Sequence, residues 1–193
     1  MARGVFAALV ALAITQYLNF YGLDYICLYT SARKSAENLS SAKAVLRANQ
    51  SADRRFPLLL TAATAAVKLG SYDEAQGYAN ELLTLAPSFP HQNGDAIHDG
   101  HTVLGRVALA RGDRETARRE LLLAGSTPGS PVLDSFGPDM SFAREMLRAG
   151  ERDTVLQYFD QCLRFWKFGD EPIRRWKWLI RHHLPPNFGT NLN

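Results

Sequence analysis

The densest gathering of side chains able to do chemistry lies in residues 88–101, SFPHQNGDAIHDGH, which carries His91, Asp95, His98, Asp99 and His101. If the chain is helical from Ala96 onward, His98 and His101 are i, i+3 neighbours on one face, a spacing that a metal site can use. The remaining members decorate a connection, so a polar cluster facing a groove is the favoured reading and a soluble metal-binding helical protein the alternative. Ser88 with His98 and Asp95 supplies the residue types of a hydrolytic triad, but no nucleophile motif surrounds them. No phosphate loop or nucleotide fingerprint occurs anywhere in the chain. The expectation is a protein that is not an enzyme, with no cofactor and no metal. Cys27 and Cys162 lie far apart in apolar surroundings, without zinc spacing, and read as buried thiols rather than a redox pair.

A second group is basic and aromatic. From Arg164 to Leu184 there are six Arg or Lys residues against Asp170 and Glu171. Asp170 suits a helix cap with Pro172 in the first turn. Ile173, Trp176, Ile180 and Leu184 then share a face, while Arg174, Arg175, Lys177, Arg181, His182 and His183 fill the remainder. Such a helix can meet anionic lipid, an acidic partner or nucleic-acid phosphates. It equally suits the end of a helical stack, which needs a last helix with one apolar and one solvated face. The capping reading is preferred, with Trp166, Trp176 and Trp178 in the core. A net charge of +3 over 193 residues is too weak to imply nucleic acid.

A third group is the tyrosine row Tyr17, Tyr21, Tyr25 and Tyr29, which forms one stripe on a helix. It follows the uncharged run VFAALVALAI, and Gly4 to Tyr29 is long enough to cross a hydrocarbon layer that needs about 20 residues. Thr15, Gln16, Asn19 and Asp24 make it a poor span. Three readings stay open: a retained signal anchor, which is preferred; a signal peptide cleaved near Ala11-Leu12-Ala13; and an aromatic helix packed into the fold. The tyrosines are expected to face membrane or a partner.

The elements that must position these groups are helices. In residues 58–87, LLLTAATAAVKLGSYDEAQGYANELLTLAP, two helical patterns meet at Gly70–Ser71, and Ser71 with Glu74 reads as a capping box. Ala62, Ala63 and Ala66 line the first helix and Ala75 and Ala79 the second, so two backbones can lie close. With Leu59, Tyr72, Leu82 and Pro87 in register, this stretch resembles a tetratricopeptide repeat. The same frame returns with Leu104, Gly105, Ala108, turn Gly112–Asp113, Ala117, Leu121 and Ala124, and there His101 falls at the repeat's large first anchor. It returns once more, weakly, with Phe142, Ala143, turn Gly150–Glu151, Val155, Phe159 and Cys162. The turn glycines are 42 and 38 residues apart, against about 34 in a strict repeat, so loops must be inserted.

Upstream, Leu39, Ala42, Val45 and Leu46 are spaced for one apolar face of a leading helix, and Pro57 suits the first turn of a helix over 56–69. Downstream, STPGSPVLDSFGPDM reads as a structured turn anchored by Val132, Leu133 and Phe136, with Pro138, Asp139 and Ser141 opening the next helix. Hydrophobic residues at 46% and charged residues at 21% are ordinary globular values. The expected fold is all-α: a TPR-like helical solenoid of about three helix pairs over 31–193 with a C-terminal capping helix, preceded by a hydrophobic helix in 1–30 that serves as membrane anchor.

The resemblance implies a non-catalytic scaffold or accessory subunit that mediates protein–protein interaction, since stacked pairs form a groove lined by their first helices. Repeat phase puts Thr61, Thr64, Lys68, His98, His101, Thr102, Arg106, Arg144 and Arg148 toward a protein or peptide in that groove. The alternative is an accessory subunit of a larger membrane complex, held mainly through the tyrosine helix. The expected location is single-pass in a bacterial inner membrane, and nucleic acid is not an expected partner.

Overall fold

Three times among the described residues the chain closes a helix on a glycine and begins the next one two residues later. A computed structural model of the protein describes residues 31–48 and 51–192, and every regular element among them is a helix. In order they are α1 (residues 31–48), α2 (Ala52–Lys68), α3 (Tyr72–Leu85), α4 (Asn93–Ala110), α5 (Arg114–Gly125), α6 (Pro131–Phe136), α7 (Ser141–Arg148), α8 (Arg152–Cys162) and α9 (Asp170–Arg181), with 3-10 turns at Ala86–Ser88 and Gly189–Asn191.

The three hairpins α2/α3, α4/α5 and α7/α8 share one closing device. Gly70, Gly112 and Gly150 have φ of +73°, +82° and +89°. In each turn the glycine N–H donates to the carbonyl three residues back, and the next N–H to the carbonyl five back, as in Ser71 to Ala66 at 2.9 Å. This is the Schellman closure, which needs a left-handed residue where it turns. A fourth instance ends α9, where the N–H groups of His183 and Leu184 reach Ile180 and Leu179. There a histidine, not a glycine, takes the left-handed backbone, at φ 59°.

The apolar interior has two parts. Leu39, Leu46, Phe56, Leu59 and Leu82 join the alanines of α2 and α3 with Val103 and Val107 in the first. The second runs from Ala108 and Leu121 through Phe142, Met146, Val155 and Phe159 to Trp176, Ile180 and Phe188. α4 lies against α3 and α5 and contributes to both. Small residues let it do so: a Cβ on Gly105 would stand 2.3 Å from the Phe142 ring. After α5 the stacking changes. Toward the third hairpin α5 meets α8 more than the short α7, and α6 is inserted between the second and third hairpins.

Several local expectations are corrected. Ser71 makes no side-chain cap; the Glu74 carboxylate is held by Lys43 of α1 at 2.6 Å. Asp113, by contrast, caps α5 by accepting from the Thr116 N–H at 3.0 Å. Pro57 is internal, because α2 starts at Ala52. Asp170 is the first residue of α9, not its cap. Leu133 is buried, but Val132 and Phe136 are 55% and 75% exposed. Trp166 and Trp176 are core residues, whereas Trp178 is 54% exposed and stacks on His182.

The single-pass location is also corrected: among the described residues no helix is long and apolar enough to cross a membrane. The run from Gly4 to Tyr29 on which that expectation stood, with Cys27 and the tyrosines 17, 21, 25 and 29, lies outside the described residues.

Candidate functional site

The nine groove candidates come from the first helices of the three hairpins, and the structure sorts them into three places.

Thr61, Thr64 and Lys68 stay together. Three and four residues apart, they share a stripe of α2 and, with Ser35 and Asn38 of α1, line a recess of about 260 Å³. Leu60 and Ala65 form its apolar wall. The neighbouring stripe of α2 is committed to the core, since Leu59, Ala62, Ala63 and Ala66 are fully buried. α1 is fastened alongside by Arg55, whose guanidinium donates to the Leu46 carbonyl at 2.6 Å and to the Glu81 carboxylate at 2.7 Å. That arrangement ties α1, α2 and α3 through one side chain.

The α4 residues are spent inside the protein. His98 is 1% exposed. Its Nδ1 lies 2.8 Å from Asp99 Oδ1 and its Nε2 2.9 Å from the Tyr158 hydroxyl on α8. The carboxylate can only accept, so in the neutral ring Nδ1 carries the proton and Nε2 accepts from the phenol. Burial pushes the Tyr158 phenol well above its ordinary range, and it also pushes the nearby Cys162 thiol up to about 12. A phenol and a thiol held neutral in this way serve as packing and hydrogen-bonding groups.

His101 Nδ1 meets the buried Glu120 carboxylate of α5 at 2.7 Å, and Arg106 holds Glu145 of α7 through two bonds of 2.9 and 2.7 Å. Thr102 is buried. Asp95 accepts from the Ser130 hydroxyl at 2.6 Å, and Ser130 in turn caps α6. Burial raises the Asp95 carboxyl above its ordinary range, and the Ser130 bond partly offsets this. The histidine-rich stretch therefore joins α4 to α5, α6 and α8. Among the described residues no three His, Cys, Asp or Glu side chains gather closely enough to hold a metal ion.

Arg144 and Arg148 occupy the third place. They border an open cavity of about 350 Å³ between α7, the start of α8 and the end of α9, flanked by Leu184, Pro185, Pro186 and Phe188. Arg152 and His183 also line it, and neither residue was legible as a site from the repeat phase. Arg152 donates to His183 Nδ1. Leu147, Ile180 and Phe188 supply apolar walls. The tail that borders the cavity is anchored firmly: Trp176 Nε1 donates to the Asn187 carbonyl at 2.9 Å, and the Phe188 ring meets Trp176 edge-on at 4.9 Å.

No family model, curated protein or solved structure matches the chain.

Proposed function

We propose that the protein is a non-catalytic, TPR-like helical scaffold that holds a protein or peptide partner along its first-helix side. The observation that carries this reading is the threefold recurrence of one hairpin closure at Gly70, Gly112 and Gly150, the three places where the sequence pattern repeats. Units that repeat, each resting on its neighbour, build an extended surface rather than a single enclosed pocket. The recess between α1 and α2 offers hydroxyls at Thr61 and Thr64, an amide at Asn38 and the Lys68 ammonium beside an apolar wall. That is the mixture of groups an extended peptide uses, main chain on polar side chains and side chains on apolar ones. His98 and His101, the residues best equipped for acid–base work, each face a carboxylate and a neighbouring helix, which favours a joining role over a reactive one.

A photo-crosslinking residue at Thr64 tests the reading in the producing cell, with the same residue at the exposed Arg174 of α9 as control. A discrete adduct at position 64 that is missing at 174, and is lost when Lys68 is changed to Glu, supports a partner-holding surface. No adduct at 64, or the same products at both positions, refutes it.

A further inference from the structure

The arginine-lined cavity does not need the scaffold reading. Arg144, Arg148 and Arg152 bring three guanidinium groups to one space of about 350 Å³, and no carboxylate lines it. Of the acids beside these arginines in sequence, Glu145 is held by Arg106 through two bonds and Glu151 by Arg118 at 2.8 Å, while Asp153 does not line the cavity. Neither Arg144 nor Arg148 has an ion-pair partner among the described residues. Arg144 is half-buried, and its Nε atom is buried with no hydrogen-bond partner among the described residues. A buried donor of this kind is costly to leave unmade, and more so on a charged group.

Two further features are hard to assign to stability. Arg152 is the first residue of α8, the end of a helix where a positive charge opposes the backbone dipole. His183 adopts left-handed backbone at the one Schellman closure among the described residues that lacks a glycine, and its ring receives the Arg152 guanidinium. The less favourable residue is present where its side chain fixes an arginine at the cavity.

We propose that this cavity binds a phosphomonoester carried on a small apolar body. A phosphate monoester brings close to two negative charges and three acceptor oxygens, which suits three arginines better than a single carboxylate does, and guanidinium groups meet it in pairs of parallel bonds. Leu147, Ile180 and Phe188 take the apolar body, and the volume lies at the small end of the range for compact organic ligands. Arg148 also has a structural reading, because it ends α7 where a cation favours the dipole. That reading predicts a loss of stability on substitution and no effect on ligand.

The test titrates the full chain with phenyl phosphate by calorimetry at 150 mM NaCl, beside inorganic phosphate, benzoate and a short phosphotyrosyl peptide. Saturable binding of phenyl phosphate at one site per chain is expected, with inorganic phosphate and benzoate each weaker by about tenfold or more. A peptide that binds more tightly than phenyl phosphate assigns the phosphate to a phosphorylated chain; one that binds no better assigns it to a small molecule. Arg144→Gln is expected to weaken phenyl phosphate by about tenfold or more at unchanged helicity. His183→Gly is the decisive variant, because it relaxes the backbone while freeing Arg152: melting temperature unchanged or higher, affinity lower. Binding that benzoate matches, that both variants leave untouched, or that is missing from the wild type in 150 mM salt overturns the proposal.

Discussion

Gly105 stands at the crossing of α4 and α7, and adding one methyl there gives a prediction whose sign can be worked out in advance. The new Cβ would lie 2.3 and 2.4 Å from two atoms of the Phe142 ring and 3.1 Å from Glu120 Cβ. Phe142 is 1% exposed and has core on every side, so the ring cannot swing into solvent. Overpacking of this kind costs about 1–3 kcal/mol. Against it runs the helix preference of alanine over glycine, about 1 kcal/mol.

Gly77 supplies the control. It lies within α3, and nothing stands within 4 Å of its Cβ position, so alanine there should stabilise by about 0.5–1 kcal/mol. The two variants should therefore differ by the overpacking alone, with Gly77→Ala melting higher than wild type and Gly105→Ala lower than Gly77→Ala. For a chain of this length each kcal/mol moves the melting temperature by about 2–4 °C. Thermal and urea unfolding followed at 222 nm measure both. Phe142→Leu should cost less in the Gly105→Ala background than in wild type, because the smaller side chain relieves the clash. If Gly105→Ala raises stability as much as Gly77→Ala does, the close approach of α4 and α7 is wrong.

Other substitutions probe the remaining joints. Tyr158→Phe leaves His98 Nε2 buried without its donor and should destabilise by about 1–3 kcal/mol, measured by urea unfolding. Cys162, with its thiol pushed up to about 12 by burial, should not react with Ellman's reagent at pH 8 in a folded Cys27→Ser protein and should react fully in guanidinium. The Asp95 carboxyl is raised by burial, so its protonated form favours the folded state and the charged form at neutral pH opposes it. Asp95→Asn should therefore stabilise at pH 7, with the gain fading as pH falls toward the ordinary value of 3.8. Gly150→Ala meets no atom within 4 Å but must hold φ near +89°, and should cost about 1–2 kcal/mol in thermal unfolding from backbone strain alone.

What the sequence made legible is what short-range rules govern. A glycine that ends a helix and begins the next needs only its neighbours to take left-handed backbone, and Gly70, Gly112 and Gly150 could be read directly. So could the alanines of α2 and α3, since a helix face recurs every three to four residues. Positions decided by distant partners could not be read. Glu74 looks like half of a capping box until Lys43, 31 residues earlier, takes its carboxylate. His98 looks like a ligand until Tyr158, 60 residues later, meets its ring. Trp178 sits on an aromatic helix whose core face is filled by Ile173, Trp176 and Ile180, leaving it outside. Arg152 and His183 form a site only because α9 folds back onto the α7/α8 turn, and no spacing rule foretells that.

α4 is a wall of both cores, with Val103 and Val107 facing one and Ala108 the other. If the helices before it open, α4 is still clamped by α5 and, through His98, by α8. If the helices after it open, α2 and α3 still hold it. Its amides are freed only when both halves are apart at once. In hydrogen exchange α4 should therefore be the last helix to take up deuterium, and its rate should report the stability of the whole chain while α2 and α9 report their own halves.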